Sequence, residues 1–243
     1  HCTKVNTRKL WATRREHRDA IGQAAGLRYN GRYVRKARYM AQAARKGKSL
    51  TNEELAKAAL EYVDEEGVDA LSFRKLSDRT GVPTMTIMNR FGSKYDLMKA
   101  ALGVMLDETI VEPVAGETWQ ESLRRVARLN RAMALKHPKA FMMFVLVPIF
   151  ESPVLEFTDR VFSTHESQGL PEEMPAVFLS MMHSFLPGFQ LAEAYANRER
   201  DRVGAGASAE AIERFDLFTE ESFDRNIEII IAGLAACYDL PRE

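Results

Sequence analysis

Residues 71–97 gather hydroxyl and basic side chains on the second of two short predicted helices and at both ends of the pair. Within it, Gly81 separates two short segments with helical spacing of apolar residues, an arrangement typical of a helix-turn-helix. In such a unit the second helix meets base edges in the DNA major groove, and the flanking helices hold the phosphates. Nine side chains of the stretch suit these contacts: Ser72, Arg74, Thr84, Met85, Thr86, Met88, Asn89, Arg90 and Lys94.

The second helix of this pair offers three kinds of contact. Thr84 and Thr86 are short hydroxyl donors at its start, close enough for a phosphate or a base. Met85 and Met88 present apolar surface to thymine methyl groups, and Asn89 has the amide geometry that reads adenine. These residue types therefore favour base recognition by this helix.

The helix ends supply charge for the phosphates. Arg90 can reach a guanine or a phosphate. Ser72 and Arg74 begin the first helix of the pair, and Lys94 begins the helix that follows, where backbone N–H groups and the helix dipole favour an anion. Spacing alone leaves an alternative open, because an amphipathic helix pair around glycine is common. In that interpretation the polar residues are a solvated face and the methionines are core.

Helix-start signals organise the chain around this stretch. A capping box, a serine or an N-terminal proline marks each predicted start, and glycine marks two of the ends. The starts are Thr51 with Glu54, Ser72, Pro83, and Ser93 with Asp96. Residues 51–92 are thus predicted to form a three-helix unit, and a fourth helix over 94–110 leads out of it.

Beyond Pro113 the apolar spacing is helical and shows no period-two strand. The predicted class is all-α, with an N-terminal three-helix helix-turn-helix domain and an α-helical C-terminal domain. Domain boundaries are predicted at 1–48 for a basic arm, 49–97 for the helix-turn-helix domain and 98–243 for the C-terminal domain. The expected elements of the last part are helices over 119–137, 155–162, 175–198 and 209–237, a buried helix within 140–150, a kink at Pro187-Gly188 and an exposed loop over 197–208.

Charge is distributed unevenly although the 243 residues sum to zero. Residues 1–50 carry 14 basic and 2 acidic residues, and the remainder carries 20 basic and 32 acidic residues. A basic arm on an acidic body indicates an anionic partner at one end. The arm is interpreted either as a loosely structured tail or as a segment that touches phosphates or a minor groove. Because the chain opens on His1 and Met40 is its first methionine, a further interpretation makes residues 1–39 an upstream or processed segment.

Composition narrows the class of protein. The sequence has no apolar run near 18 residues and no secretory h-region, so neither a membrane span nor a signal peptide is indicated. Two distant cysteines, Cys2 and Cys237, predict neither a disulfide framework nor a metal site, and a cytoplasmic location is expected. Catalytic motifs of hydrolases, metalloproteases and P-loop proteins are missing, which leaves an all-α enzyme a remote alternative, and no cofactor is expected.

One family resembles this pattern closely. The run Ala-Ala-Leu-x2-Val-x2-Glu-Gly-x-Asp-Ala-Leu-Ser-x-Arg-x-Leu, followed by Gly-Val-Pro-Thr-Met-Thr-Ile-Met-Asn-Arg-Phe-Gly-Ser-Lys-x-Asp-Leu, resembles the DNA-binding domain of tetracycline-repressor-like (TetR family) regulators over about residues 52–102. The all-helical remainder is similar in architecture to the family's ligand-binding and dimerisation domain. The resemblance implies a DNA-binding regulator.

The resemblance also assigns roles to individual side chains. It implies base contacts for Arg74 and Thr84, and backbone contacts for Ser72, Thr86 and Lys94. Two positions depart from the family pattern. Met88 stands where the family usually has tyrosine, which removes one phenolic hydroxyl, and Arg90 stands where histidine is common, which adds a longer charged side chain.

A homodimer is a further implication of the resemblance. The final helix is apolar nearly all round, so it requires burial on more than one face. The residues predicted to pair two copies are Phe223, Ile227, Ile230, Ile231 and Leu234. Burial of the same helix inside one subunit explains the pattern equally. A two-fold dimer would place two recognition helices about 34–36 Å apart on a near-palindromic double-stranded DNA operator.

A pliable apolar pocket is predicted in the C-terminal part. Residues 133–189 hold six of the 11 methionines and eight of the 13 phenylalanines, side chains that suit such a pocket although they are more often core. The predicted effector contacts are Trp119, Met133, Phe144, Met182, His183, Phe185 and Gln190. A small, mainly hydrophobic ligand is expected to release the protein from its operator. The alternative is a constitutive DNA-binding protein without an effector.

Overall fold

A computed structural model describes the chain over residues 50–109, 111–163, 168, 170–206 and 208–241, and the predicted basic arm at 1–48 lies outside the described residues. Over these ranges the protein is helical and contains no strand, which confirms the all-α prediction. The helices are α1 (Asn52–Glu66), α2 (Phe73–Thr80), α3 (Thr84–Phe91), α4 (Lys94–Asp107), α5 (Trp119–Lys136), α6 (Met142–Leu146), α7 (Val154–Ser163), α8 (Met174–Val203), α9 (Ala209–Phe215) and α10 (Glu220–Tyr238), with a 3₁₀ turn at Gly204–Gly206.

The first four helices begin where local capping chemistry predicts. Thr51 and Glu54 form a reciprocal capping box at α1, and the Ser72 and Ser93 hydroxyls accept backbone N–H bonds at the starts of α2 and α4. Such caps satisfy N–H groups that have no partner inside the helix. Gly81 ends α2 with a φ of +74°, a left-handed conformation that glycine adopts without steric cost.

Helix α4 connects the N-terminal unit to the body. Its buried residues Leu97, Ala101 and Met105 pack in one continuous core with α1, and the same helix also contacts α3, α6 and α7. The predicted domain boundary at 97/98 therefore falls inside an unbroken helix, so a displacement of α4 moves groups on both sides of it.

The body is organised by α5, α8 and α10, which pack against one another. Aromatic rings fill the space between them, with Phe189 and Phe223 at a centroid distance of 5.2 Å. Beside these rings the Arg131 guanidinium donates to both carboxylate oxygens of Glu193, at 3.1 and 2.6 Å. This largely buried ion pair connects α5 to α8. A second ion pair, between Arg124 and Glu228, connects α5 to α10.

The predicted single helix over 209–237 is wrong, because the chain forms two helices there. A capping box at Thr219 starts α10: its hydroxyl accepts from Ser222 N–H, and its own N–H donates to the Ser222 hydroxyl. The apolar periodicity continues across this break, so the spacing concealed it. The interruption leaves Leu217 largely exposed between α9 and α10.

Two further boundary predictions are wrong. Helix α8 continues to Val203 instead of opening into a loop at 197, since the Arg200–Asn197 and Arg202–Glu199 contacts stabilise its last turns. The expected buried helix within 140–150 is only the short α6, and its Val145 and Leu146 side chains are exposed.

Pro187 lies inside the continuous helix α8.

No helix of the described ranges is both long and apolar enough to span a bilayer.

Candidate nucleic-acid interface and interior cavity

The helix pair α2–α3 is held in place by its apolar side chains, which pack into the protein core. Leu76 on α2, Val82 in the turn and Ile87 on α3 are buried. The Thr80 hydroxyl donates to the Leu76 carbonyl and accepts from the Val82 N–H, which closes the turn around Gly81. With these groups inward and Phe91 packed against the core, Met85, Met88, Asn89 and Arg90 of α3 are exposed.

All nine predicted DNA contacts lie at the accessible surface of this unit. Ser72, Thr84 and Thr86 are half-buried, and the other six are exposed. The alternative that the methionines are core does not hold, because Met85 is 53% exposed and Met88 is 39% exposed. An exposed methionine on α3 gives the outer face apolar surface beside its hydroxyl and amide groups, a combination suited to base edges and thymine methyls.

Several of these side chains also make hydrogen bonds within the protein. The Ser72 hydroxyl caps α2 by accepting from Lys75 N–H at 3.2 Å. The Lys94 ammonium donates to the Asp69 carbonyl at 3.1 Å, across the loop between α1 and α2. The Arg90 guanidinium donates to the carbonyl of Leu50, immediately before α1. Arg90 therefore ties α3 to the segment that leads into α1, a role that the sequence did not indicate.

A second tie inside this unit was also missed. Arg79 on α2 donates to both carboxylate oxygens of Glu65 on α1, at 2.5 and 2.6 Å. This hydrogen bonding lowers the pKa of the Glu65 carboxyl despite some opposing desolvation. A separation of 14 residues is outside the range of the (i, i+4) patterns that identify helical ion pairs in a sequence.

The interior of the C-terminal part contains a small cavity between α5, α6, α7 and α8. Its volume is about 40 Å³. Most of its lining is aliphatic or aromatic, and none of the lining side chains is a carboxylate, lysine or arginine. The lining consists of Val126, Asn130, Phe144, Phe157, Thr158, Val161, Phe178, Leu179, Met182, His183 and Leu186.

His183 gives this cavity a polar atom that lacks a hydrogen-bond partner. Its Nε2 atom is buried without a hydrogen bond, and its ring lies 5.9 Å from that of Phe144. Burial lowers the pKa of His183, so the ring is neutral at neutral pH. A neutral imidazole can donate or accept one hydrogen bond at Nε2, depending on its tautomer.

The predicted effector contacts divide into two groups. Phe144, Met182 and His183 line the cavity, and Gln190 lies beside it through a 2.8 Å hydrogen bond to Asn130. Trp119, Met133 and Phe185 are not part of the lining; Phe185 packs instead on Phe189 and Phe223. Helical spacing in the sequence did not separate these two groups, because it predicts which face of a helix is buried and not which buried residues border a cavity.

Asn130 and Thr158 are cavity residues that the sequence analysis missed. Both are buried polar side chains, and Asn130 follows Val126 by four residues on the inner face of α5. A polar side chain on an otherwise apolar helix stripe was the available signal.

The predicted dimer contacts need correction in their positions. Phe223, Ile227, Ile231 and Leu234 are buried in the subunit's own core, so a partner cannot reach them. Of the predicted set, only Ile230 is partly accessible. The outer face of α10 instead presents a stripe at helical spacing, Ile229, Ala232, Gly233 and Ala236, and α8 beside it presents Met181, Gly188 and Tyr195.

An outward helix anchored by the buried side chains of Leu76, Val82 and Ile87, with hydroxyl, amide and basic groups around it, defines a helix-turn-helix DNA-binding protein. Comparison with known protein families identifies the family within this class. The model described as "Tetracyclin repressor-like, C-terminal domain" matches residues 112–238, more than half of the chain, and that of "Bacterial regulatory proteins, tetR family" matches residues 55–101. The chain belongs to the TetR family of DNA-binding transcriptional regulators, a family of regulators rather than enzymes.

Individual relatives agree with this assignment. An HTH-type transcriptional regulator of Saccharopolyspora erythraea is 22% identical over 201 residues, which cover 77% of this chain and 85% of the relative. Among solved structures, Streptomyces coelicolor ActR in complex with actinorhodin is 22% identical with a TM-score of 0.59, covering 79% of this chain and 99% of that one. A variant of TetR from Acinetobacter baumannii in complex with minocycline is 20% identical with a TM-score of 0.63, covering 78% and 95%. These two structures share the fold.

Proposed function

We propose that this regulator is a homodimeric repressor that binds a near-palindromic operator and is released by a small, uncharged and mainly hydrophobic effector. The observation that carries the effector proposal is the buried, unpartnered Nε2 of His183 in an aromatic cavity. A buried polar atom without a hydrogen bond costs about 1–3 kcal/mol, which a ligand group bonded to it would recover.

The cavity lining defines the chemistry of the ligand. Since no charged side chain lines it, a charged ligand would be desolvated without compensation. Rings at Phe144, Phe157 and Phe178 offer faces and edges to a planar aromatic body, and the polar side chains of the lining surround it. The similar folds of ActR with actinorhodin and of the TetR variant with minocycline support binding of an aromatic ligand here.

The small size of the cavity favours a second candidate function, that of a constitutive DNA-binding protein without an effector. A volume of about 40 Å³ is far below the roughly 300–1,000 Å³ of typical ligand pockets. An effector must therefore select a more open conformer, and differential binding to that conformer is what would change DNA affinity. A protein in which the cavity stays closed would be a constitutive DNA-binding protein.

Dimer formation is supported by the exposed apolar stripes on α8 and α10. Ile229 is 63% exposed and Tyr195 is 64% exposed, on two helices that pack side by side. Pairing this two-helix face about a two-fold axis would bury both stripes and would repeat the recognition helix at a fixed spacing.

Ligand screening on the full chain distinguishes the two candidates. An operator is first selected from random DNA, and uncharged planar aromatics are then screened by thermal shift. A compound at about a hundred times its dissociation constant should raise the melting temperature by roughly 5 °C or more and release the operator in a mobility-shift assay. His183→Leu should abolish the response to ligands with a hydrogen-bonding group, whereas Ser184→Ala, outside the cavity lining, should retain it.

Two other outcomes would contradict parts of this proposal. A protein that binds its operator but shows no thermal response across such a library would favour constitutive binding. Failure to select any preferred DNA sequence at low salt would overturn the operator proposal.

A further inference from the structure

A buried histidine joins the DNA-binding unit to the body. His137 follows the last residue of α5 and is only 6% exposed. Its Nδ1 lies 2.6 Å from Oδ2 of Asp64 on α1, and its Nε2 lies 3.0 Å from Oε2 of Glu108, immediately after α4. One side chain of the body thus contacts both α1 of the DNA-binding unit and the residue that follows α4.

The chemistry of this contact favours a fixed orientation of the ring. Each ring nitrogen lies within hydrogen-bond distance of a carboxylate oxygen from a different element, so the ring is flanked on both edges. The other oxygen of Asp64, Oδ1, is buried without a hydrogen bond, so the carboxylate depends on His137. A planar ring held at both nitrogens has little freedom to rotate or slide.

Neighbouring charges reinforce the cluster. The Lys136 ammonium pairs with Glu108, and the Lys139 ammonium donates to the Glu65 carbonyl on α1. Desolvation opposes ionisation of Glu108, but hydrogen bonds from Lys136 and His137 outweigh it and lower the pKa of this carboxyl. The cluster therefore holds the C-terminal end of α5 against the C-terminal ends of α1 and α4.

Other polar contacts across this junction are more exposed. Lys99 lies 3.7 Å from Glu151, and Arg160 lies 3.4 Å from Asp107, with side chains between about a quarter and three-quarters accessible. Exposed pairs of this kind contribute little because water and salt screen them. Among these contacts of the described residues, the buried histidine is the one that best defines an angle.

Helix α5 connects this cluster to the rest of the body. It lines the cavity through Val126 and Asn130 and packs against α8 and α10, the helices of the proposed dimer face. Asn130 and His137 are seven residues apart, so roughly 10 Å of helix separates the cavity wall from the histidine cluster. A displacement of α5 reaches Asp64 and Glu108 directly.

We propose that His137 is a positioning residue that sets the angle of the DNA-binding unit on the body, and so fixes the spacing of the two recognition helices. This inference rests on the proposed dimer. It assigns His137 no contact with DNA. Its loss should widen the range of half-site spacings that the protein accepts, while each unit keeps its affinity for a single half-site.

The experiment compares binding of four full-length proteins to a series of operators. They are the unchanged protein, His137→Gln, Asp64→Asn and, as the matched control, Glu65→Gln, which breaks the Arg79 pair inside the DNA-binding unit. The operators differ by one base pair between half-sites, which rotates one half-site by roughly 35° and moves it by about 3.4 Å. A single half-site is included, and circular dichroism checks that each variant is folded.

The expected result is a change in selectivity. The unchanged protein and Glu65→Gln should prefer one spacing by on the order of tenfold, about 1.4 kcal/mol. His137→Gln and Asp64→Asn should reduce that preference to about twofold, with half-site affinity changed by less than about twofold. Asp64→Asn keeps the shape of the side chain, so it serves if His137→Gln does not fold.

Two results would overturn the inference alone. One is an unchanged spacing preference in folded His137→Gln or Asp64→Asn. The other is an equal loss of affinity for half-site and full operator, which would make the residue merely structural. If the unchanged protein itself shows no spacing preference, the dimer proposal fails and this inference fails with it.

Discussion

Single side chains on α3 give the predicted recognition helix an unusual outer surface. Met88, in place of the family's usual tyrosine, is exposed rather than turned inward, and Arg90 is engaged with the Leu50 carbonyl. We therefore expect that the arginine charge does not take the place of the missing phenolic hydroxyl. Instead, the outer face of α3 combines threonine hydroxyls with exposed thioether surface.

Base-reading and phosphate-binding side chains should separate in their effects. Arg74→Ala should relax sequence preference, because it is exposed at the start of α2, where the family resemblance implies a base contact. Lys94→Ala should weaken all DNA alike and reduce the slope of log affinity against log salt by about one unit. Titrations of operator and random DNA at several salt concentrations measure both. Equal losses on both DNAs for Arg74→Ala would remove it from base reading.

Arg90 offers a different test. Because its guanidinium is bonded to the Leu50 carbonyl, Arg90→Ala should destabilise the start of α1 by about 1 kcal/mol, while the salt dependence of DNA binding stays unchanged. Urea unfolding and salt titrations measure the two effects. A salt slope smaller by about one unit, as expected for Lys94→Ala, would show instead that Arg90 contacts a phosphate.

Among the helices, α4 is one that packs against both the DNA-binding unit and the body. It packs against α1 and α3 on one side and against α6 and α7 on the other. The same is true of α5 through His137, so two helices link body and DNA-binding unit. An effector that moves α5 at the cavity would act on the ends of both α1 and α4.

Gly103 lies in the interior of α4, close to α7. A Cβ added there would lie 3.8 Å from the Cβ of Pro153, an ordinary van der Waals distance. Gly103→Ala should therefore stabilise the protein by up to about 1 kcal/mol through helix propensity, measured as a higher melting temperature. Gly81→Ala is the matched comparison: its φ of +74° makes alanine strained, so its melting temperature should fall. A lower melting temperature for Gly103→Ala would mean that α4 and α7 are packed too closely for a methyl group.

Assembly of two chains is expected to depend on the outer face of α8 and α10. Ile229→Arg should convert the dimer into monomers and weaken operator binding far more than half-site binding, since a charge in an apolar interface lacks a partner. Sedimentation velocity measures the oligomeric state. Val114→Arg, an exposed apolar position in the loop after α4, is the control and should remain dimeric. A dimer that persists in Ile229→Arg would place the interface elsewhere.

Acid should destabilise the protein through its paired carboxylates. Hydrogen bonds from Arg125 lower the pKa of Glu117 against an opposing desolvation, so this pair stabilises the fold above the unfolded pKa of about 4.3 and loses its contribution as pH falls through the lower folded value. Glu117→Gln should be less stable than the unchanged protein at about pH 7, and the difference should shrink progressively as pH falls below the unfolded pKa. Urea unfolding across this range measures the difference, with exposed Glu112→Gln as the control. Parallel curves for the unchanged protein and Glu117→Gln would contradict the assignment.

Local signals were sufficient for the N-terminal helices and for the class of protein. Caps at Thr51, Ser72 and Ser93 act within three residues, so their spacing in the chain already specifies where α1, α2 and α4 begin. The helix-turn-helix and its outward residues follow from the same short-range chemistry. The family assignment also rests on this stretch, and the comparisons confirm it.

Side-chain partners far apart in the chain could be found only in the folded molecule. An apolar stripe predicts burial but not what covers it, which is why Phe223, Ile227, Ile231 and Leu234 were expected between subunits and lie inside one. The contact of His137 with Asp64 spans 73 residues, and the cavity joins four helices around His183. Such contacts depend on how the helices pack. The same apolar face of a helix can be buried by several different neighbouring helices, so its periodicity does not identify the neighbour.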